Sequence, residues 1–311
     1  FGIINIGEFY MKVMCIGQAA YDITLPLDHF PVENKKTRVN GKVECGGGSS
    51  SNCSYLLAKW GLDTYFAGTI GNDYYGQKII KEYESVNVNM KYLEISDKFP
   101  TTSSYIVANT TSGTRTILTS RCKDIKMEER EINDEFDYLL FDGYEKDFAM
   151  EAVKKNPNAV KILDAGSMKE ATVELTKVVD YVVCSHDFAN EYSGVEINYN
   201  DTNTIVMAYE KLKEKIPNNV IITLEEHGCF TKIGDEYKII PSIKVKPVDS
   251  TGAGDIFHGA FLYFLSRGYN LETVLYLSNI TGALSVEKIG SRFSIPTLEE
   301  VINKYNDTVQ K

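Results

Sequence analysis

The chain has 311 residues, 33 of them basic and 43 acidic, for a formal net charge of −10. It is long enough to bury a large core in one big α/β domain or two smaller ones. The acidic balance excludes nucleic acid or an anionic membrane surface as the main partner, since each needs a basic face. No apolar run approaches the ~18 residues of a membrane span. Any phosphate handled here must therefore be held by local donors.

Phe1 to Tyr10 contain no methionine, whereas Met11-Lys12-Val13-Met14 reads as a natural start leading into a strand. Residues 1–10 therefore read as an added prefix, without the basic and apolar regions of a signal peptide. Beyond it, compact apolar runs over 13–17, 64–71, 138–143, 161–166, 181–185 and 219–224 predict strands buried on both faces of a mostly parallel sheet. Helical patterns at 52–60, ended by Gly61, and at 202–215 complete a βα alternation and hence a layered α/β fold. Two stretches break that rhythm. Residues 102–109 and 114–119 are β-rich around the turn Thr110-Thr111-Ser112-Gly113, and 38–45 reads as a strand interrupted at Gly41. They predict a small β lid, drawn from about 23–45 and 98–121, on a single domain over 11–311.

The C-terminal part is the most helical. Ile256, Phe257, Ala260, Phe261, Phe264 and Leu265 make a wide apolar helical face that Gly268 ends. A second helix follows over about 271–288, and a third opens at Thr297 with Glu300 three residues on, a capping box. Cysteines at 15, 45, 53, 122, 184 and 229 include no Cys-x-x-Cys pair, which predicts free, mostly buried thiols in a reducing cytoplasm. Histidines 29, 186, 227 and 258 are too scattered to suggest a structural zinc site.

The strongest chemical signal is Asp249-Ser250-Thr251-Gly252-Ala253-Gly254-Asp255, directly before the apolar helix. Glycines at a helix start let the backbone approach a ligand, and the exposed N–H groups and helix dipole make an anion site. Asp255 sits where it can take a proton from a hydroxyl, while the backbone of Gly252, Ala253 and Gly254 holds charge on a transferred phosphoryl group. The bland alternative is a turn followed by a favourable first-turn acid. Gly46-Gly47-Gly48-Ser49-Ser50-Ser51-Asn52 offers short polar side chains and a closely approaching backbone, as recognition of adjacent hydroxyls requires. Alone it is equally a flexible loop with Asn52 as a helix cap. Asp22, after the first strand, offers two acceptor oxygens or serves as a turn residue.

The string at 249–255 resembles the second signature of the PfkB, or ribokinase-like, carbohydrate kinases, and 46–52 resembles the first. The resemblance runs from Met11 to the C-terminus in the expected order. It implies a three-layer α/β/α domain with a mostly parallel central sheet and a small β-sheet lid that excludes water. It also implies a cytoplasmic enzyme that uses ATP and Mg2+ to phosphorylate a primary hydroxyl of a small sugar. Asp255 is then the general base, the 252–254 backbone the anion hole, and Asp22, Gly48, Ser49 and Asn52 the sugar contacts. Arg115 sits where ketohexokinase-like members carry an arginine, in reach of substrate or phosphate, or else as an exposed hairpin residue. Asp142 matches an acidic or polar strand-end residue near the substrate, and Asp164 one near the phosphate. Thr223 and Ser185 are the nucleotide-contacting candidates.

Asp249, Thr251, Gly290 and Ser294 match a potassium site, whose oxygen ligands suit a hard monovalent ion, or form an ordinary hydrogen-bonded corner. Two departures stand out. The family's Asn-x-x-Glu element is missing at Ser185-His186-Asp187-Phe188, as in ketohexokinase-like sequences, and Glu225 replaces the usual glycine after Thr223-Leu224. The alternatives are a nucleoside kinase of the same fold and a non-catalytic sugar-binding descendant. A P-loop motif is missing from the sequence, and 46–51 lacks the last glycine of a dinucleotide fingerprint. The residues name no particular sugar, and a monomer and a homodimer through the lid strands both stay open.

Overall fold

Alternate residues of the first strand enter opposite cores: Val13 and Cys15 face one, Met14 and Ile16 the other. The computed structural model describes residues 11–309, so the expectation for the 1–10 prefix lies outside the described residues. In chain order the elements are β1 (Lys12–Ile16), β2 (Ala20–Leu27), β3 (Val43–Gly47), α1 (Ser49–Lys59), β4 (Asp63–Gly71), α2 (Tyr74–Val86), β5 (Asn89–Ser96), β6 (Ser103–Asn109) and β7 (Arg115–Ser120). There follow β8 (Tyr138–Phe141), α3 (Lys146–Lys155), β9 (Val160–Ala165), α4 (Glu170–Leu175), β10 (Tyr181–Ser185), α5 (His186–Ser193), α6 (Thr202–Lys213) and β11 (Asn219–Thr223). The last are β12 (Cys229–Ile233), β13 (Glu236–Ile240), α7 (Ala253–Ser266), α8 (Leu271–Ser285) and α9 (Leu298–Val309).

Nine strands form the central sheet in the order β13-β12-β11-β10-β9-β8-β1-β4-β5, parallel from β11 to β5, with an antiparallel hairpin at the β13 edge. Leu56 and Leu57 of α1, Phe261 and Phe264 of α7 and Leu275 of α8 fill one face. Phe148 of α3, Phe188 of α5 and Leu212 of α6 fill the other. The continuous apolar runs of the inner strands thus reflect burial on both sides, as in a three-layer α/β fold.

The second sheet, β3-β2-β6-β7, is the β lid expected from sequence. One boundary is corrected: residues 38–42 form no strand, and β3 begins only at Val43, opposite Thr24 of β2. Residues 28–41 are exposed apart from a half-buried Thr37, Phe30, Val32 and Val39 included, and among the described residues no strand pairs with them. The helix expected from Asn52 starts earlier, at Ser49, because a distant carboxylate caps it. The Thr297 capping box is present: Glu300 N–H donates to Thr297 Oγ1 at 3.1 Å, and Thr297 N–H to Glu300 Oε2 at 2.6 Å. All six cysteines are free, five of them buried. Among the described residues no helix is long and apolar enough to cross a membrane.

Candidate active site

From β1 the sheet grows to β4 and β5 on one side and then from β8 to β11 on the other, the reversal of strand order beside which open α/β sheets bind ligands at their carboxyl ends. Asp142 directly follows β8 and is 3 % exposed. Its Oδ2 accepts the N–H of Gln18 at 2.8 Å and of Ser50 at 3.1 Å, and its Oδ1 that of Tyr144 at 3.0 Å. Both oxygens are thus engaged by backbone. Asp142 caps α1, which has no side-chain cap of its own, and fixes the loop after β1.

Asp22 of β2 is buried against this loop. Ser291 Oγ donates to its Oδ2 at 3.5 Å. Burial, and next the charge of Asp255, push its carboxyl up to about 7, against the pull of Ser104, Arg292 and Ser291. Gly47, two residues beyond Cys45, the β3 partner of Asp22, leaves room for that carboxylate, since a Cβ there would overlap it.

Asp255 lies in the first turn of α7. Asn52 Nδ2 donates to its Oδ2 at 2.8 Å, and Cys53 Sγ to its carbonyl at 3.1 Å, tying α1 to α7. Burial raises its carboxyl above the ordinary aspartate value, opposed by Asn52, His258, Ser49 and Arg115. The helix begins at Gly252, in the left-handed region with φ 77°, without a side-chain cap. Ala253 N–H reaches Ser250 O at 3.3 Å, and the space where a Gly254 side chain would stand is open. A first turn that is uncapped, unobstructed and dipole-positive suits phosphate oxygens. Gly48 is the N-cap residue of α1 with φ 92°, and Ser49 is the first residue of that helix.

Lid and glycine loop touch. Arg115 Nη1 donates to Ser250 Oγ at 2.7 Å, and Ser250 N–H to Gly113 O at 3.2 Å. On the other flank, Ser185 and Thr223 are register neighbours at the ends of β10 and β11. Ser185 Oγ caps α5 through Phe188 N–H at 3.0 Å and donates to Gly166 O at 3.0 Å; Thr223 Oγ1 donates to Cys184 O at 3.2 Å. Asp187, where the family's Asn-x-x-Glu element is missing, is exposed and pairs with His186 at 3.1 Å. Asp249 accepts Thr251 N–H at 3.0 Å and Oγ1–H at 2.6 Å on Oδ1, and Gly290 N–H at 3.0 Å on Oδ2. Ser294 N–H donates to Gly290 O at 3.0 Å, so all four potassium-site candidates meet in one hydrogen-bonded corner.

Several neighbours were not anticipated from sequence. His258, 4 % exposed, turns Nδ1 to Gly254 O at 2.6 Å and Nε2 to Val183 O at 3.1 Å, 3.5 Å from Asp164. Burial raises the Asp164 carboxyl, and His258 opposes this. Tyr144 carries Arg121 and Lys169 at 4.3 and 4.2 Å from its ring centre. Behind Asn52 the buried Arg292 pairs with the half-buried Glu82 at 2.8 Å. The available signal for Arg292 was a lone charge among the small and apolar residues of Gly290-Ser291-Arg292-Phe293-Ser294.

The ribokinase of Lactococcus lactis is 25 % identical over 314 residues, covering 95 % of this chain and 97 % of that protein. The bifunctional ribokinase/ribose-5-phosphate isomerase A of Fructilactobacillus sanfranciscensis is 24 % identical over 308 residues, 95 % of this chain, which spans only 56 % of that protein. Among solved structures, Thermotoga maritima ribokinase superposes with a TM-score of 0.79 at 26 % identity, covering 96 % of this chain and 100 % of that one. Arabidopsis thaliana ribokinase, complexed with ribose and ATP, gives 0.73 at 22 % identity, covering 94 % and 99 %. The pfkB family carbohydrate kinase pattern matches residues 11–298, and the chain belongs to that family.

Proposed function

We propose that this kinase transfers the γ-phosphoryl group of ATP to a primary hydroxyl of a small sugar bound between Asp22 and Asp255. The observation that carries the reading is the open first turn of α7, where Asn52 holds Asp255 at 2.8 Å and Ser291, which packs on Gly252, donates to Asp22 at 3.5 Å. Asp255 takes the proton of the attacking hydroxyl, and Asp22 accepts hydrogen bonds from other hydroxyls of the same sugar. First-turn N–H groups at 252–254 stabilise the charge on the moving phosphoryl group.

Gly48, Ser49 and Asn52 complete the sugar side, with Asp142 acting behind them by holding Ser50 and Gln18. Ser185 and Thr223 mark the nucleotide side, and the Arg115–Ser250 contact holds the lid over the glycine loop against water. Among the described residues no three His, Cys, Asp or Glu side chains gather around a metal position, which fits magnesium arriving on the ATP phosphates. Bound there, it would neutralise charge on the transferring group. The Asp249 corner is closed by protein donors, and rates in potassium against sodium buffer test for a cation there.

ADP release from ATP and magnesium, measured across a panel of sugars and nucleosides, tests the reading. Turnover with at least one sugar is expected. Turnover with nucleosides alone replaces the acceptor class, and sugar binding without any ADP release overturns the enzyme assignment in favour of a binding protein.

A further inference from the structure

Arg292, in the loop between α8 and α9, is 3 % exposed. Nη1 donates to Glu82 Oε2 of α2 at 2.8 Å, Nη2 to Ser51 Oγ of α1 at 2.5 Å, and Nε to Asn52 Oδ1 at 3.4 Å. Tyr55 and Tyr83 hold their rings 4.9 Å from the guanidinium carbon. Glu82 also accepts the Gly46 N–H at 2.9 Å, which joins this cluster to the sugar loop. An ion pair with one partner buried contributes little stability compared with apolar residues of the same volume. Its orienting effect on neighbours is the more specific consequence.

The Asn52 amide has a donor end and an acceptor end, and arginine only donates. Arg292 therefore takes Oδ1 and leaves Nδ2 to face Asp255 Oδ2 at 2.8 Å. Freed from Arg292, the amide can turn its oxygen toward the carboxylate and repel it. The same guanidinium packs on Gly46, next to the Gly47 on which the Asp22 carboxylate packs, and its charge opposes the rise of that carboxyl. Asp255 is otherwise faced by Ser49 of α1, His258 of α7 and Arg115 of β7; Asp22 is faced by Asp255, Ser104 of β6 and Ser291.

We propose that Arg292 is a positioning residue of the transfer site, one that fixes the Asn52 amide with Nδ2 toward Asp255 and sets a cation behind the two site carboxylates. The proposal rests on the kinase reading above. Two variants test it. Arg292→Met combined with Glu82→Gln removes both charges while keeping the volume, and Arg292→Lys keeps the charge without the planar fork.

In the double variant kcat is expected to fall by about tenfold or more, with the acid limb of the rate profile moved upward by about one pH unit. The KM for ATP should stay within about twofold of wild type, since the nucleotide flank is untouched. Arg292→Lys should restore most of the acid limb but not kcat. Wild-type kcat and acid limb in either folded variant overturns the proposal.

A double variant that fails to fold leaves Arg292→Lys to decide by the same two readouts. Wild-type protein that releases no ADP with any acceptor overturns the kinase reading instead. The carboxyl NMR titrations of Asp22 and Asp255 then decide on Arg292 without turnover: an upward move in the double variant supports the proposal, and unmoved titrations overturn it.

Discussion

Asn52 donates through Nδ2 to Asp255 Oδ2 at 2.8 Å, although 203 residues separate them in sequence. The contact exists because the N-terminal ends of α1 and α7 meet, with Gly259 of α7 packed against Cys53 and Leu56 of α1. It holds Asp255 as an acceptor, the state a general base needs. Asp255→Asn should lower kcat by ~10² to 10⁴-fold. The circular dichroism spectrum should stay that of wild type, and near wild-type turnover in the folded variant would remove Asp255 from the mechanism.

With Asp22 as the proposed hydroxyl acceptor, sugar binding should depend on pH. Its carboxyl is pushed up to about 7, mainly by burial and then by Asp255, so lowering the pH through about 7 protonates it and removes an acceptor. The KM for sugar should rise on the acid side while the KM for ATP stays level. Titrating both constants between pH 5.5 and 8.5, roughly 1.5 units to either side, checks this.

The same shift carries a stability consequence of fixed sign. The folded value lies above the ordinary 3.8, so the stability tied to the protonated form is complete below 3.8 and lost as pH rises toward about 7. Asp22→Asn should therefore be more stable than wild type above neutral pH, by at most about 4 kcal/mol, with the gain shrinking toward pH ~4. Denaturant melts at several pH values measure it, and a pH-independent difference would show that Asp22 is not the titrating group.

Gly252 opens α7 with φ 77°, and a Cβ there would press on Ser291. Gly252→Ala should cost about 1–3 kcal/mol in folding and weaken ATP binding by distorting the first turn. Urea unfolding and nucleotide calorimetry separate the two effects. Unchanged ATP affinity would argue that the nucleotide phosphates lie elsewhere.

The Arg115–Ser250 bond predicts that lid and glycine loop are energetically coupled. In a double-mutant cycle, Arg115→Ala and Ser250→Ala should share a coupling of roughly 0.5–1.5 kcal/mol in kcat/KM for sugar. Strict additivity would mean that the contact is incidental to catalysis.

Periodicity and local motifs revealed much of this architecture. The buried strands β1, β4, β8 to β11 were legible as apolar runs because both of their faces are covered. The Gly252–Asp255 turn was legible because backbone approach and charge leave a local signature. The edge strands β5 and β13 and the hairpin strand β12 beside β13 were not singled out, since their partly exposed residues give a weaker pattern. The strand expected over 38–45 was overextended: alternation in sequence cannot tell whether a partner strand is there to receive it.

The sequence by itself therefore determined the layered fold, the glycine-rich turn that opens α7 and the short polar residue types at 46–52, all of which follow from short-range spacing. Only the tertiary structure decided how those residues divide their work. It turned Asp142 inward as the cap of α1, aimed Asn52 at Asp255, and placed Arg292 behind both. The reason is physical: a hydrogen bond or a charge pair is set by distance in space. The partners here come from β8, α1, α7 and a late loop, which meet only once both faces of the central sheet are packed.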